Sequence, residues 1–493
     1  MLRRAMVFSE KGQVSPSILT FDYNPDYDNL RKHLHDTGRI TDQCQILNMY
    51  EFYQGERSTK TNTIMERGIE EPGCTADPTG KGRSAFRIYK NGLYIMYKSF
   101  NEHTGKLQFI DHFNENRYKT KREYYDSYGR LRKISYLDFL TGLCRQELFY
   151  TEDNRCFISK WFKVTANNKQ KLDRIHWFDE EGKVKKVFGT EEEMSHYWLN
   201  YLSKNEDKLS FFIIDNEKVT PLFIDFNRKY NKKNVRSIFV VHSIHLNAPF
   251  EWNSSLRKPY LPLLENISEP DAIVFLTNTQ RDDIVSRFGN VNNFSVIPHS
   301  CTCPNSIPSF SNRDLKKAIM LARLVSPKQI EHAIQAFKIV SQKVNGATLE
   351  IYGFGAEEEN LNKLIKKLEL EGVVNLNNFV KNPKIIYEQA AFSVLTSKYE
   401  GFGLVILESL ASGCPVISYD IKYGPSDMIK DDQNGFLIQP GNIEQLAERM
   451  IALFGNEEKL KQMSEQSYES AKQFNDDLFL ERWFSLLNGL VNK

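Results

Sequence analysis

The chain has 493 residues, more than one hydrophobic core accommodates, so two or three domains are expected. Its 65 Lys and Arg against 63 Asp and Glu leave a formal charge of +2, which removes any global electrostatic case for a nucleic-acid partner. Seven cysteines without a CxxC pair fit a reducing compartment, no run of about 18 apolar residues offers a membrane span, and no apolar h-region follows the basic start MLRRAMVFSEKG. The expectation is a cytoplasmic chain without a secretory signal, free to touch the inner face of a membrane.

Residues 16–22, PSILTFD, read as a strand followed by the helix PDYDNLRKHLHDTG, the first part (1–82) of an α/β domain that resumes much later. From 83 to 190 aromatic and β-branched residues alternate with polar ones. The segments FNEHTGKLQF, YYDSYGRLRK, YTEDNRCFIS and FDEEGKVKKV each set a Gly or Asn in a polar turn, as hairpins require. An antiparallel β insertion of repeated hairpins is expected. Residues 81–186 hold 23 Lys and Arg against 13 Asp and Glu, a net of +10 that leaves the rest of the chain near −8. Two readings stay open: lysines guarding exposed strand edges, or a surface for a polyanion or another subunit.

The α/β pattern returns over 191–308 with the strands LSFFIID, VRSIFVVH, DAIVFLT and FSVIP. In FVVHSIHLNAPF, His242 and His245 stand just past a strand. Either they face a cleft between domains or they are hydrogen-bonded structural residues; a metal site lacks a third ligand at nearby spacing. Residues 309–474 alternate apolar runs with helical patterns: KAIMLARL with QIEHAIQAFKIVSQK, TLEIYGFG with NLNKLIKKLELEG, then AFSVLT, LVILESLASG and PVISYD. This is the rhythm of a doubly wound parallel sheet, which binds ligands at its carboxyl edge.

Chemistry concentrates at that edge. Arg323 and Lys328 in ARLVSPKQ offer two cations suited to a diphosphate. In KYEGFGLVILES, the amides of Phe402, Gly403 and Leu404 fall at a helix N-terminus, a cradle for phosphate or hydroxyl groups. Glu400 precedes that turn, and Glu408, near the second helical turn, suits a vicinal diol such as a ribose. A hydrolase pair would have to flank a glycosidic bond; here a diphosphate pair and a nucleotide-type sheet surround the carboxylates.

R-x4-K after the first strand of a carboxy-terminal Rossmann-like domain, followed by E-x7-E in EGFGLVILE, resembles the retaining, nucleotide-sugar-dependent glycosyltransferases of the GT-B fold. The resemblance implies two Rossmann-like domains facing a cleft, with Arg323 and Lys328 on the diphosphate, Glu400 at the transferred sugar and Glu408 at the ribose. It also implies that FVKNP lies against uracil with Val380 making backbone contacts, and that residues 475–493 form a helix crossing back to the first domain. TFDYNPDYDNLRKHL, YDIKYGPSDMI and the insertion are similar, more narrowly, to bacterial wall teichoic acid α-glycosyltransferases. That likeness implies a UDP-sugar donor, no cofactor and no metal, a polyol-phosphate acceptor with glucose transfer favoured, and homo-oligomers formed through the insertion. The second histidine of the family's H-x-x-H, here His245, is implied to stand near the reacting groups, with His242 beside it. Alternatives within the resemblance are N-acetylglucosamine transfer to poly(ribitol phosphate) or to Ser/Thr-rich surface protein, and a non-catalytic subunit. Family members open with a strand and a glycine-rich loop, which the present start is expected to lack.

Overall fold

The computed structural model describes residues 1–55, 67–79, 84–165, 167–205, 207–230, 233–304 and 306–491. The chain divides into two units, residues 1–205 and 206–493.

The first unit opens with α1 (Leu2–Glu10), β1 (Ser17–Thr20), α2 (Tyr27–Asp36), β2 (Gln45–Asn48) and α3 (Met49–Gln54). β1 and β2 pair in parallel as a sheet of two, so PSILTFD takes its ladder from QILN and joins no other sheet. The two short strands satisfy each other's ladder, and their residues belong to the first unit. Ten antiparallel strands follow in sequence order: β3 (Thr75–Thr79), β4 (Ala85–Lys90), β5 (Leu93–Phe100), β6 (Leu107–Phe113), β7 (Lys119–Tyr125), β8 (Leu131–Leu137), β9 (Cys144–Tyr150), β10 (Cys156–Val164), β11 (Gln170–Phe178) and β12 (Val184–Phe188).

All four quoted turn segments close hairpins of this meander, with Gly129 at φ 77° and Asn154 at φ 62° taking the left-handed backbone that tight turns need. The expected boundary at residues 82–83 lies outside the described residues. The sheet itself begins earlier, at β3, whose sequence TADPT is tolerable only on an edge, where Pro78 has no inner ladder bond to supply. Tyr50, Tyr53, Phe149, Phe157, Trp177 and, from α4 (Glu191–Leu202), Trp198 form an aromatic core between the helices and β9–β12. There Trp177 donates its indole N–H to Tyr53 O at 2.9 Å.

The second unit holds two parallel sheets. The first, in order β13 (Ser210–Ile214), β14 (Val235–Val241), β15 (Ala272–Phe275) and β16 (Phe294–Val296), alternates with α5 (Thr220–Tyr230), α6 (Leu261–Leu264) and α7 (Asn278–Phe288). The second has six strands: β17 (Asp314–Leu321), β18 (Thr348–Tyr352), β19 (Val374–Asn377), β20 (Ala390–Leu395), β21 (Val416–Tyr419) and β22 (Gly435–Ile438). Its helices are α8 (Ile330–Lys343), α9 (Glu358–Lys367), α10 (Pro383–Gln389), α11 (Leu404–Ala411), α12 (Pro425–Met428), α13 (Ile443–Phe454) and α14 (Glu457–Ala471).

Every residue of β20 is buried, as a parallel strand covered on both faces must be. The order β19-β18-β17-β20-β21-β22 reverses direction between β17 and β20, and the crevice at such a switch point is where doubly wound sheets take ligands. The last helix, α15 (Asp476–Val491), leaves the six-stranded sheet and docks on the four-stranded one, where Arg236 Nε donates to Leu490 O at 3.1 Å. Among the described residues no helix is long and apolar enough to cross a membrane.

Candidate active site

Both halves of the carboxylate and cation motif emerge at the switch point. The loop after β17 carries Arg323, exposed, and then Lys328, half-buried in a 3-10 turn. The loop after β20 carries Ser397 and Glu400. Thr396 Oγ1 donates to the carbonyls of Lys328 and Gln329 at 3.0 and 2.8 Å, and Lys398 N donates to Pro327 O at 2.8 Å, so the two loops are stitched together. The Lys328 ammonium then meets the Glu400 carboxylate, which also accepts from Ser397 Oγ at 2.7 Å. Lys328 and Glu400 were expected on separate parts of a ligand; here they hold each other.

Past Glu400 the chain turns tightly against β14. A Cβ on Gly401 would lie 2.0 Å from His242 O, so only glycine lets this turn approach the end of that strand. Gly403, at φ 83°, starts α11. Among the described residues the amides of Phe402, Gly403 and Leu404 have no protein acceptor, as the first donors of a helix must unless capped. The Phe402 ring is buried against His299 and Phe474, so the cradle is backbone alone. Glu408 follows Leu404 by one helical turn and shares its less buried face. Burial raises its carboxyl above the usual range. Val380 is half-buried in the loop between β19 and α10, and beside it exposed Phe379 makes an edge-to-face contact with exposed Phe354 at 6.1 Å.

The two histidines part company. His242 is half-buried; its Nε2 lies 2.6 Å from Asp215 Oδ1, and its ring stacks on His299 at 5.4 Å. His245, expected near the reacting groups, is fully enclosed, face to face with Tyr423 at 5.8 Å. Neither of its ring nitrogens has a hydrogen-bond partner among the described residues, and burial pushes its pKa down to about 4. His245 thus sits beside the apolar cluster of Ile244, Leu246 and Tyr423.

Residues 305–470 match the family described as glycosyl transferases group 1. The whole chain is similar to the Staphylococcus aureus poly(ribitol-phosphate) alpha-N-acetylglucosaminyltransferase, at 28% identity over 99% of this chain and 96% of that one. It is similar as well to the Bacillus subtilis poly(glycerol-phosphate) alpha-glucosyltransferase, at 26% identity over 100% of this chain and 72% of the relative. Among solved structures, a mutant of S. aureus TarM crystallised with fondaparinux, alpha-GlcNAc-glycerol and UDP superposes with a TM-score of 0.82 at 25% identity, covering 99% of this chain and 95% of that one. This chain is a glycosyltransferase of the GT-B fold.

Several polar groups around the transferase site carry no sequence motif. Asp215 and His299 stand, with the expected His242, at carboxyl ends of the four-stranded sheet, after β13, β16 and β14 respectively. The rule that ligands gather at such ends was the available signal. Ser397 had none, since a serine before a lysine in SKYEG is unremarkable by itself.

Proposed function

We propose that the enzyme transfers an α-glucosyl unit, with retention, from UDP-glucose to hydroxyls of poly(glycerol phosphate). The observation that carries this reading is the switch-point constellation: Lys328 on Glu400, three unpaired amides at the start of α11, and Glu408 one turn along. In it, Arg323 and the α11 amides take the diphosphate, and Lys328 is shared between phosphate and Glu400. Glu408 takes the ribose hydroxyls and the Val380 backbone takes the uracil edge. Positive charge already in place around a departing diphosphate lowers the barrier because it needs no reorganisation as charge develops. Glu400, held by Ser397, stands at the sugar; His242, oriented by Asp215, contacts the sugar or acceptor hydroxyls. The donor supplies all the chemistry, so no cofactor enters the reading.

Acceptor identity rests on the relatives named for polyol-phosphate substrates, which match from end to end of this chain. A UDP-sugar donor fits a cytoplasmic enzyme acting at the inner membrane face, and copies would associate through the ten-stranded sheet. A second reading, N-acetylglucosamine transfer to poly(ribitol phosphate), is favoured by the fuller coverage of the S. aureus relative, 96% against 72%. Incubating the purified chain with radiolabelled UDP-glucose or UDP-N-acetylglucosamine and each polymer separates them. Label in poly(glycerol phosphate) from UDP-glucose alone is the expected result, and label only from UDP-N-acetylglucosamine selects the second. Polymer binding with no transfer from either donor would leave a non-catalytic subunit.

A further inference from the structure

One half-buried carboxylate joins the two walls of the crevice. Asp283 projects from α7, behind the four-stranded sheet, and is 13% exposed. It accepts from the Lys422 ammonium at 2.6 Å and from the Tyr423 hydroxyl at 2.7 Å. Both donors belong to the loop after β21, on the opposite wall. The same dipeptide clasps the sugar-side glutamate through its backbone: Glu400 N donates to Lys422 O, and Tyr423 N donates to Glu400 O, each at 3.0 Å. A second contact lies alongside, where Asp427 accepts from Asn278 N at 3.1 Å and Thr279 Oγ1 at 2.8 Å.

We propose that Asp283 is a positioning residue for the transfer reaction, gripping Lys422 and Tyr423 so that their backbone fixes the Glu400 turn against the strand end at His242. The inference rests on the reading of Glu400 as the group at the sugar. The geometry suits the task. A carboxylate accepts from two donors at once, and the Tyr423 phenol stays protonated because burial and Asp283 both oppose its ionisation. The enclosed Tyr423 ring, flat against His245, removes the other freedom of the loop. Because the turn is already pressed to within a Cβ radius of His242 O, releasing one side shifts Glu400 relative to the cradle. A displacement of about 1 Å at a reacting group costs on the order of a hundredfold in rate.

Asp283→Asn, Tyr423→Phe and the double variant test this, with Thr279→Ala as a control on the neighbouring contact. Expected for Asp283→Asn is a fall of kcat of about tenfold or more, with donor KM and UDP affinity held within about twofold, since Arg323 and Glu408 do not lean on Asp283. Tyr423→Phe keeps the ring stack and loses less, and the double variant falls short of the sum of the two. Hydrogen exchange gives a readout independent of transfer: the Glu400 and Tyr423 amides exchange faster in Asp283→Asn while those of α8 do not. Unchanged exchange at those two amides, additive losses, or kcat and UDP affinity falling together with the melting temperature would each overturn the inference. A wild-type chain that transfers no sugar while the exchange pattern holds overturns the functional reading instead.

Discussion

Burial raises the Glu408 carboxyl, with no cation beside it among the described residues, and on the proposed reading the donor's ribose needs that carboxylate ionised to accept two hydroxyls. Donor KM should therefore rise on acidification at a pH above the ordinary glutamate range. Glu408→Gln should weaken donor binding by about tenfold and flatten that rise, as loss of a hydrogen bond to a charged group predicts. Isothermal titration with UDP across pH 4.5–8 reads both, and an unchanged affinity in the glutamine variant contradicts the ribose assignment. His245 titrates in the other sense. Its folded pKa of about 4 lies below the ordinary 6.5, so the folded chain binds less proton than the unfolded one between those values. The His245 contribution to stability is full above pH 6.5, declines as pH falls towards 4, and amounts to a loss of about 3 kcal/mol across that window. His245→Leu, which also removes two unpartnered nitrogens, should melt with a visibly shallower pH dependence; a wild-type melting curve that stays flat from pH 7 to 4.5 refutes the assignment.

At the scale of elements, the turn from β20 to α11 is a tight joint in the site. Gly401→Ala places a methyl 2.0 Å from His242 O and 2.7 Å from Ser243 Cα, so backbone on one wall must move. Turnover should drop by about a hundredfold or more while the six-stranded sheet, whose core lies elsewhere, keeps its far-UV signal. Alanine activity within a few-fold of wild type would show that the turn has room. This joint was legible in sequence because its elements announce themselves: FSVLT is a wholly buried strand, EGFG a breaker and LVILESLA a helix with three small or aliphatic faces. The same holds for the hairpins, whose Gly and Asn turns recur in register. β2 and β3 were not legible, since QILN is too short to show a period and TADPT opposes strand propensity, which edge position overrides. Nor were the grips on the site: Asp215 meets His242 across 27 residues and Asp283 meets Lys422 across 139, separations at which a single sequence gives no pairing signal.

For the whole molecule, the charge divide is the feature that composition totals concealed. A chain of net +2 carries +10 within residues 81–186, the span that holds β4 to β11 of the ten-stranded sheet, and the remainder is negative. Part of that charge is internally spent: Arg122 forks onto Asp111 at 2.6 and 2.7 Å, Lys133 reaches Glu147 at 3.1 Å, and buried Lys160 meets Glu191 and the Tyr50 hydroxyl. The excess remains on exposed positions such as Lys171, Lys185 and Lys186 along β11 and β12, next to Lys183, which pairs with Glu181 at 2.6 Å. If these serve only to guard the sheet edge, their removal leaves polymer handling intact. On the polyol-phosphate reading they hold a phosphate every few ångströms along the acceptor, and binding must weaken as salt rises past the point where the screening length falls below about 8 Å. Replacing Lys183, Lys185 and Lys186 by glutamine should raise acceptor KM several-fold at low salt, reduce the slope of binding against salt concentration, and leave UDP affinity unchanged. Surface substitutions of this kind cost little stability, so a loss of polymer binding would report charge rather than unfolding. An acceptor KM indifferent to both salt and the triple substitution would return these lysines to the role of edge guards.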